Sequence, residues 1–243
     1  MLSKSQKRIF LRDFRHHVIE KIKASGLTLI EEETKTRDEG NYLQLSLVYP
    51  SQYIKNAILR PHLQIEMMVN QSKLTVNTHS VTTLIRHILG EQIEHPKKWV
   101  SCVSVTETAA EKWVALTRRV ANAIKRPEVF LDPTLVRHIY DLHNIYLQNQ
   151  LDEPFYSLIE QLITEDSKKY KNQNPDYVRD PLTEIRLALS TLHQNTEWER
   201  RWEDFMGGMV YGENKPNYSS ALASLNILST QVLEQLEIFL QPQ

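Results

Sequence analysis

The stretch VTETAAEKWVAL at residues 105–116, followed after a linker by RHIYDLH at 137–143, decides how this chain is read. Ala109, Trp113, Leu116, Val120 and Ile124 recur every three or four residues, the core face of a helix. Lys112 stands three residues after Ala109 and four before Leu116, so it borders that face. A second helix is predicted to open at Asp132-Pro133, an N-cap residue followed by proline at the first helical position. Leu135, Ile139, Leu142 and Tyr146 form its stripe, and Asp141 flanks it. A cation and a carboxylate beside two packed faces can converge on one cleft, within the ~4–6 Å over which opposite charges favour their ionised forms. The plain alternatives are a structural ion pair or two solvated edges.

Upstream, residues 4–25 read as a helix whose stripe is Phe10, Phe14, Val18 and Ile22, with Gly26 at the C′ position. Its other faces carry Lys4, Lys7, Arg8, Arg12, Arg15, Lys21 and Lys23 against Asp13 and Glu20. That is first a solvated helix surface; the sharper reading is a phosphate-facing helix beside a nucleotide or RNA site. Residues 27–49 read as a β-hairpin turning at Asp38–Asn41, and His62–Val69 as a strand with Glu66 on the face opposite Leu63, Ile65, Met67 and Val69. Ser80–Leu89 suits a short helix or strand, 91–98 a polar loop, and Trp99–Val105 a further strand. The hairpin and the two later strands are expected in one mixed sheet. Thr108 and Glu111 have capping-box spacing, with Thr106 as an alternative N-cap, which gives Glu111 a structural task.

Beyond Gln148 the pattern is helical. Stripes run through Phe155–Leu162, Leu182–Leu192, Trp198–Met206 and Tyr218–Phe239, and are core or partner faces. The basic-aromatic runs at 168–171 and 198–202 could stack on RNA, although helix surface and core is the commoner origin of such runs. The expected architecture is α+β, with a sheet-containing lobe over 1–125 and a mainly helical lobe over 126–243.

The chain has 243 residues and a net charge of −1, so an anion site must be local rather than a property of the whole surface. A lone Cys102 leaves no internal disulfide and fits a reducing, cytoplasmic setting. No run of apolar residues suits a membrane span, and the N-terminus lacks a signal-peptide apolar region.

The run from Ala110 through Glu111, Lys112 and Trp113 to Ala115 and Leu116, then Arg137, Tyr140, Asp141 and Leu142, resembles the C-terminal half of the nucleotidyl transferase AbiEii/AbiGii toxin family. That family usually shows A-E-K-[LW]-x-A-L followed by R-D-L-Y-D-L; His138 departs from it where Asp is common. The resemblance covers roughly residues 27–150. It implies a nucleotidyltransferase-like sheet lobe and transfer of a nucleotide from a nucleoside triphosphate to RNA or another acceptor with Mg²⁺. It further implies catalytic roles for Lys112, Asp141 and Glu66, substrate contact by Lys112 and Arg137, and metal contact by Glu66. The implied partners are an antitoxin protein, a nucleoside triphosphate and RNA, with no membrane.

The family's front elements, a Gly-Gly or Gly-Ser turn and a D-x-D pair, have no counterpart here. No Gly-Gly or Gly-Ser lies in the first 200 residues, and D-x-D occurs nowhere. The sheet lobe is therefore expected to be incomplete at its N-terminus. Mg²⁺ is expected only if the missing carboxylates are supplied, and the chain is expected to be inactive alone. The alternative is a non-catalytic module that binds an antitoxin or a sister subunit. A third reading is an unrelated α+β protein in which Lys112–Asp141 is a structural pair.

Overall fold

A computed structural model describes residues 3–48, 62–83, 98–148, 151 and 153–240. The chain divides into two compact units, Met1–Gln71 and Ser72–Gln243. The organising helix at 105–125 thus belongs with the helical unit, and the division falls well before the expected limit at 125.

In the first unit, α1 (Lys4–Ala24) starts at Ser3, whose side chain accepts from the Gln6 N–H while the Gln6 side chain returns to the Ser3 N–H. It stops at Gly26, which takes φ +81 as a C′ glycine should. The stripe expected on α1 is corrected: Leu11 is buried, whereas Phe10 and Phe14 are 59% and 45% exposed. The helix packs on β1 (Thr28–Leu29) and on the turn at Asp38–Gly40. The sheet centres on β3 (Tyr42–Val48), which pairs antiparallel with β4 (Leu63–Met68) on one side. On its other side β3 pairs with β1 and then with β2 (Lys35–Arg37). Alternation buries Leu43, Leu45 and Leu47 of β3. The hairpin between β2 and β3 turns through Asp38, Glu39 and Gly40, all with positive φ (51, 50 and 96). Only the last of these has the residue that such a conformation favours.

In the second unit, β5 (Asn77–Val81) and β6 (Lys98–Cys102) form their own antiparallel ribbon. The later strand thus does not join the first sheet, and every described ladder is antiparallel rather than part of one mixed sheet. The reading of 84–97 lies outside the described residues. The helices are α2 (Val105–Lys125), α3 (Pro127–Phe130), α4 (Val136–Leu147), α5 (Pro154–Lys169), α6 (Pro175–Arg179), α7 (Pro181–Gln194), α8 (Thr196–Gly208) and α9 (Tyr218–Leu240). The helix α2 is the hub: it packs on α4, α5 and α7, while α9 packs on α4 and α5. Ala109, Trp113, Leu116 and Val120 are fully buried there with Leu135, Ile139, Phe155, Ile159 and Ile185. The Trp113 indole N–H donates to Ser229 Oγ at 3.0 Å, which ties α2 to α9. Trp198 and Trp202 are also in the core, 3% and 2% exposed, so the run at 198–202 is packing and offers no stacking platform to RNA. No helix among the described residues is long and apolar enough to cross a membrane.

Candidate functional site

The helix α2 begins at Ser104, whose Oγ accepts from the Glu107 N–H at 3.1 Å. The caps expected at Thr106 or Thr108 are therefore corrected to Ser104, and Glu111 has no capping role. The Glu107 side chain does not return to Ser104. It is buried and accepts from the Ser72 hydroxyl at 2.7 Å and from the N–H groups of Lys73 at 2.8 Å and Leu74 at 2.9 Å. Burial alone would raise its pKa. The two backbone donors, the Ser72 hydroxyl and the Lys73 charge outweigh burial and hold the carboxyl below the usual carboxylate range. Glu107 thus pins residues 72–74 to the N-terminal turn of α2.

One helical turn on, Lys112 leaves the edge of the buried face. At the other side Asp132 caps the turn that leads into α4: its Oδ1 accepts from the Thr134 N–H at 2.8 Å and its Oδ2 pairs with Arg119. That fixes the start of α4 against α2 and carries Asp141 to the same edge. Lys112 Nζ donates to Asp141 Oδ2 at 2.6 Å, with the two side chains 26% and 36% exposed. The structure brings these two expected site residues together.

His138 lies one turn before Asp141 on α4. Both of its ring nitrogens are buried without a hydrogen-bond partner among the described residues. Burial, and then the charges of Lys112, Arg137 and Arg119, push its pKa down to about 3, so it is a neutral imidazole at ordinary pH. Arg137 is exposed on the first turn of α4. Glu111, half-buried beside Lys112, is raised by burial and then by the Glu107 charge, with Asp166 adding to it and Lys73 and Lys112 opposing. On this edge Lys112 and Arg119 are each paired with an aspartate, Arg137 is exposed, and one neutral histidine is set among them.

Glu66 belongs to the first unit. It is exposed on β4, opposite Gln44 of β3, and its carboxylate accepts from the Gln64 amide. The outward facing expected from strand alternation is what the structure has. Among the described residues no group of three or more His, Cys, Asp or Glu side chains could hold a metal ion. Mg²⁺ prefers near-octahedral oxygen coordination from carboxylates and phosphates. With Asp141 engaged by Lys112 and Glu66 on an open strand face, the described residues do not fit a Mg²⁺ site, and no chemical step is derived through one.

Glu107 and His138 were not singled out as site residues by the sequence. The Ser104-Val-Thr-Glu107 spacing is itself a capping-box signature, masked by the overlapping Thr108-x-x-Glu111. Nothing in the sequence shows that Glu107 turns instead to residues 72–74.

The family profile described as "Nucleotidyl transferase AbiEii toxin, Type IV TA system" matches residues 2–224. The chain belongs to the AbiEii nucleotidyltransferase toxin family. The match extends well beyond the 27–150 stretch that carries the resemblance, and takes in both units. No curated protein and no solved structure matches the chain. The AbiEii family is described as one of nucleotidyl transferase toxins, and both Lys112 and Asp141 lie within the residues its profile matches.

Proposed function

We propose that this chain holds the phosphates of a nucleoside triphosphate at Lys112, with Asp141 orienting the ammonium and Arg137 adding positive charge, and that it does not complete nucleotidyl transfer alone. The observation that supports this most is the 2.6 Å Lys112–Asp141 contact on an edge still open to solvent. A lysine ammonium has three donors, and Asp141 takes one; the others remain for phosphate oxygens. Positive charge aimed at a transferring phosphoryl group is a main source of catalysis in this chemistry. Glu66 is proposed as the accessory carboxylate and RNA as the acceptor. The metal pair that would activate the acceptor hydroxyl has no D-x-D to supply it in this sequence.

Equilibrium titration with a fluorescent nucleoside triphosphate tests the binding half. Lys112→Ala should weaken binding about 10–100-fold, the value of a hydrogen bond to a charged group. Asp141→Asn decides what the carboxylate does. Weaker binding supports orientation; tighter binding would mean that Asp141 merely neutralises Lys112, and would remove its proposed role.

A second reading is the non-catalytic module that docks an antitoxin or sister subunit. It is favoured by Phe10 and Phe14, which stack 6.4 Å apart on the exposed side of α1. Absence of nucleotide binding, together with capture of a protein partner that is lost in Phe10→Ala/Phe14→Ala, would favour it over the first.

A further inference from the structure

In the first unit, α1 and the left-handed turn after β2 enclose a cleft of about 500 Å³. Three arginines of the helix, Arg8, Arg12 and Arg15, and Arg37 from the end of β2 line it, against the carboxylates of Asp38 and Glu39. The helix places them by periodicity, since residues 8, 12 and 15 fall on one face at spacings of four and three.

The acids present do not engage all four guanidinium groups. Arg8 reaches Glu39 at 3.4 Å, with the side chains 60% and 49% exposed. Arg12 pairs with its chain neighbour Asp13 at 3.0 Å, also in solvent. Arg37 makes no ion pair among the described residues. The Arg15 Nη1 atom is buried with no hydrogen-bond partner among the described residues. A guanidinium N–H withdrawn from water without an acceptor is costly. It is held there by the turn: Gly40 is buried, takes φ +96, and a Cβ on it would collide with Arg15 Nη1. Two non-glycine residues of the same turn, Asp38 and Glu39, also adopt positive φ. The backbone is thus bent into a conformation that seats Arg15 at the cleft and sets Arg37 across from α1.

Several arginine forks around a concave surface suit phosphate oxygens, which accept paired N–H donors in plane. The volume suits a nucleotide-sized group. No aromatic side chain lines the cleft, so it offers charge and hydrogen bonds without a surface on which to stack a base. We propose that this cleft is a phosphate-binding site, taking either an RNA backbone phosphate or the phosphates of a free nucleotide, and reading no base sequence. The proposal is separate from the Lys112 edge, which belongs to the second unit.

The test uses the full chain and fluorescence anisotropy at several salt concentrations. The probes are a 5′-labelled mixed-sequence single-stranded RNA and a labelled nucleoside triphosphate, with tripolyphosphate as competitor. The variants are Arg12→Ala/Arg37→Ala, the charge-keeping Arg12→Lys/Arg37→Lys, Arg8→Ala as a second probe of the same cleft, and Lys112→Ala as the comparison. Arg12 and Arg37 are exposed, and melting curves check that each variant is folded. The expected result is about 10-fold weaker RNA binding in the double alanine variant, a shallower salt dependence by roughly one unit per lost contact, and partial recovery with lysine. The same loss for the triphosphate probe, with RNA unchanged, identifies the free nucleotide as the source and also supports the site. Loss in Lys112→Ala alone, no change in any cleft variant, or no binding of either probe would overturn the proposal. Loss in the cleft variants alone leaves it standing and counts against the Lys112 reading.

Discussion

Glu107→Ala should destabilise the second unit by about 3–5 kcal/mol, the sum of several hydrogen bonds to a charged acceptor less what water restores. The carboxylate satisfies the Ser72 hydroxyl and the Lys73 and Leu74 N–H groups at 2.7–2.9 Å, in a site where the residue is 1% exposed. Alanine leaves those donors without an acceptor and frees the segment that precedes β5. Denaturant unfolding followed by tryptophan fluorescence reports this unit alone, because Trp99, Trp113, Trp198 and Trp202 all lie in it. The effect has a pH signature. The folded carboxyl titrates below its unfolded value, so its stabilisation is complete above about pH 4.3. It fades as the pH falls through the lower folded value. The gap between wild type and Glu107→Ala should therefore be constant from pH 6 to 8 and close in acid. A gap that persists at low pH would mean that Glu107 acts by packing and not as an anion.

His138 should make the same unit acid-sensitive over a different range. Its folded pKa is about 3, while an unfolded histidine titrates near 6.5. The unfolded chain takes up the proton first, so stability is complete above about pH 6.5 and declines as the pH falls towards 3. Between pH 7 and 5 the loss should be about 2 kcal/mol. His138→Gln should flatten the stability profile over that window. Glu107, which titrates lower, should leave the window unchanged. An unchanged slope in His138→Gln would show that the imidazole is solvated and that its surroundings are more open than the structure has them.

The helical unit was legible where periodicity is strong. Trp113, Leu116, Ile139 and Leu142 are buried as their spacing requires; that spacing put Lys112 and Asp141 each at the edge of its stripe, and the family resemblance set the two at one site. The α1 stripe misled because the helix buries a narrow face at Leu11, leaving Phe10 and Phe14 exposed, and apolar type does not by itself report burial. Of the ribbon, β6 was legible as the strand at Trp99–Val105, but β5 was not, because it reads Asn-Thr-His-Ser-Val, is exposed along its length and shows no alternation. The division between units was hidden for a similar reason. Ser72–Leu74 join the helical unit through one carboxylate, and a single long-range hydrogen-bonded anchor leaves no periodic trace. Of the site, the ion pair was readable and the neutral His138 was not, since its state depends first on burial and then on charges that include Lys112 and Arg119 from another helix.

Whether this chain completes nucleotidyl transfer alone is decided by incubating it, purified, with each labelled nucleoside triphosphate, Mg²⁺ or Mn²⁺, and total RNA. Triphosphate should bind, and no label should pass to RNA. Label transfer that disappears in both Lys112→Ala and Asp141→Ala would contradict this, and would show that other carboxylates of this chain hold the metal.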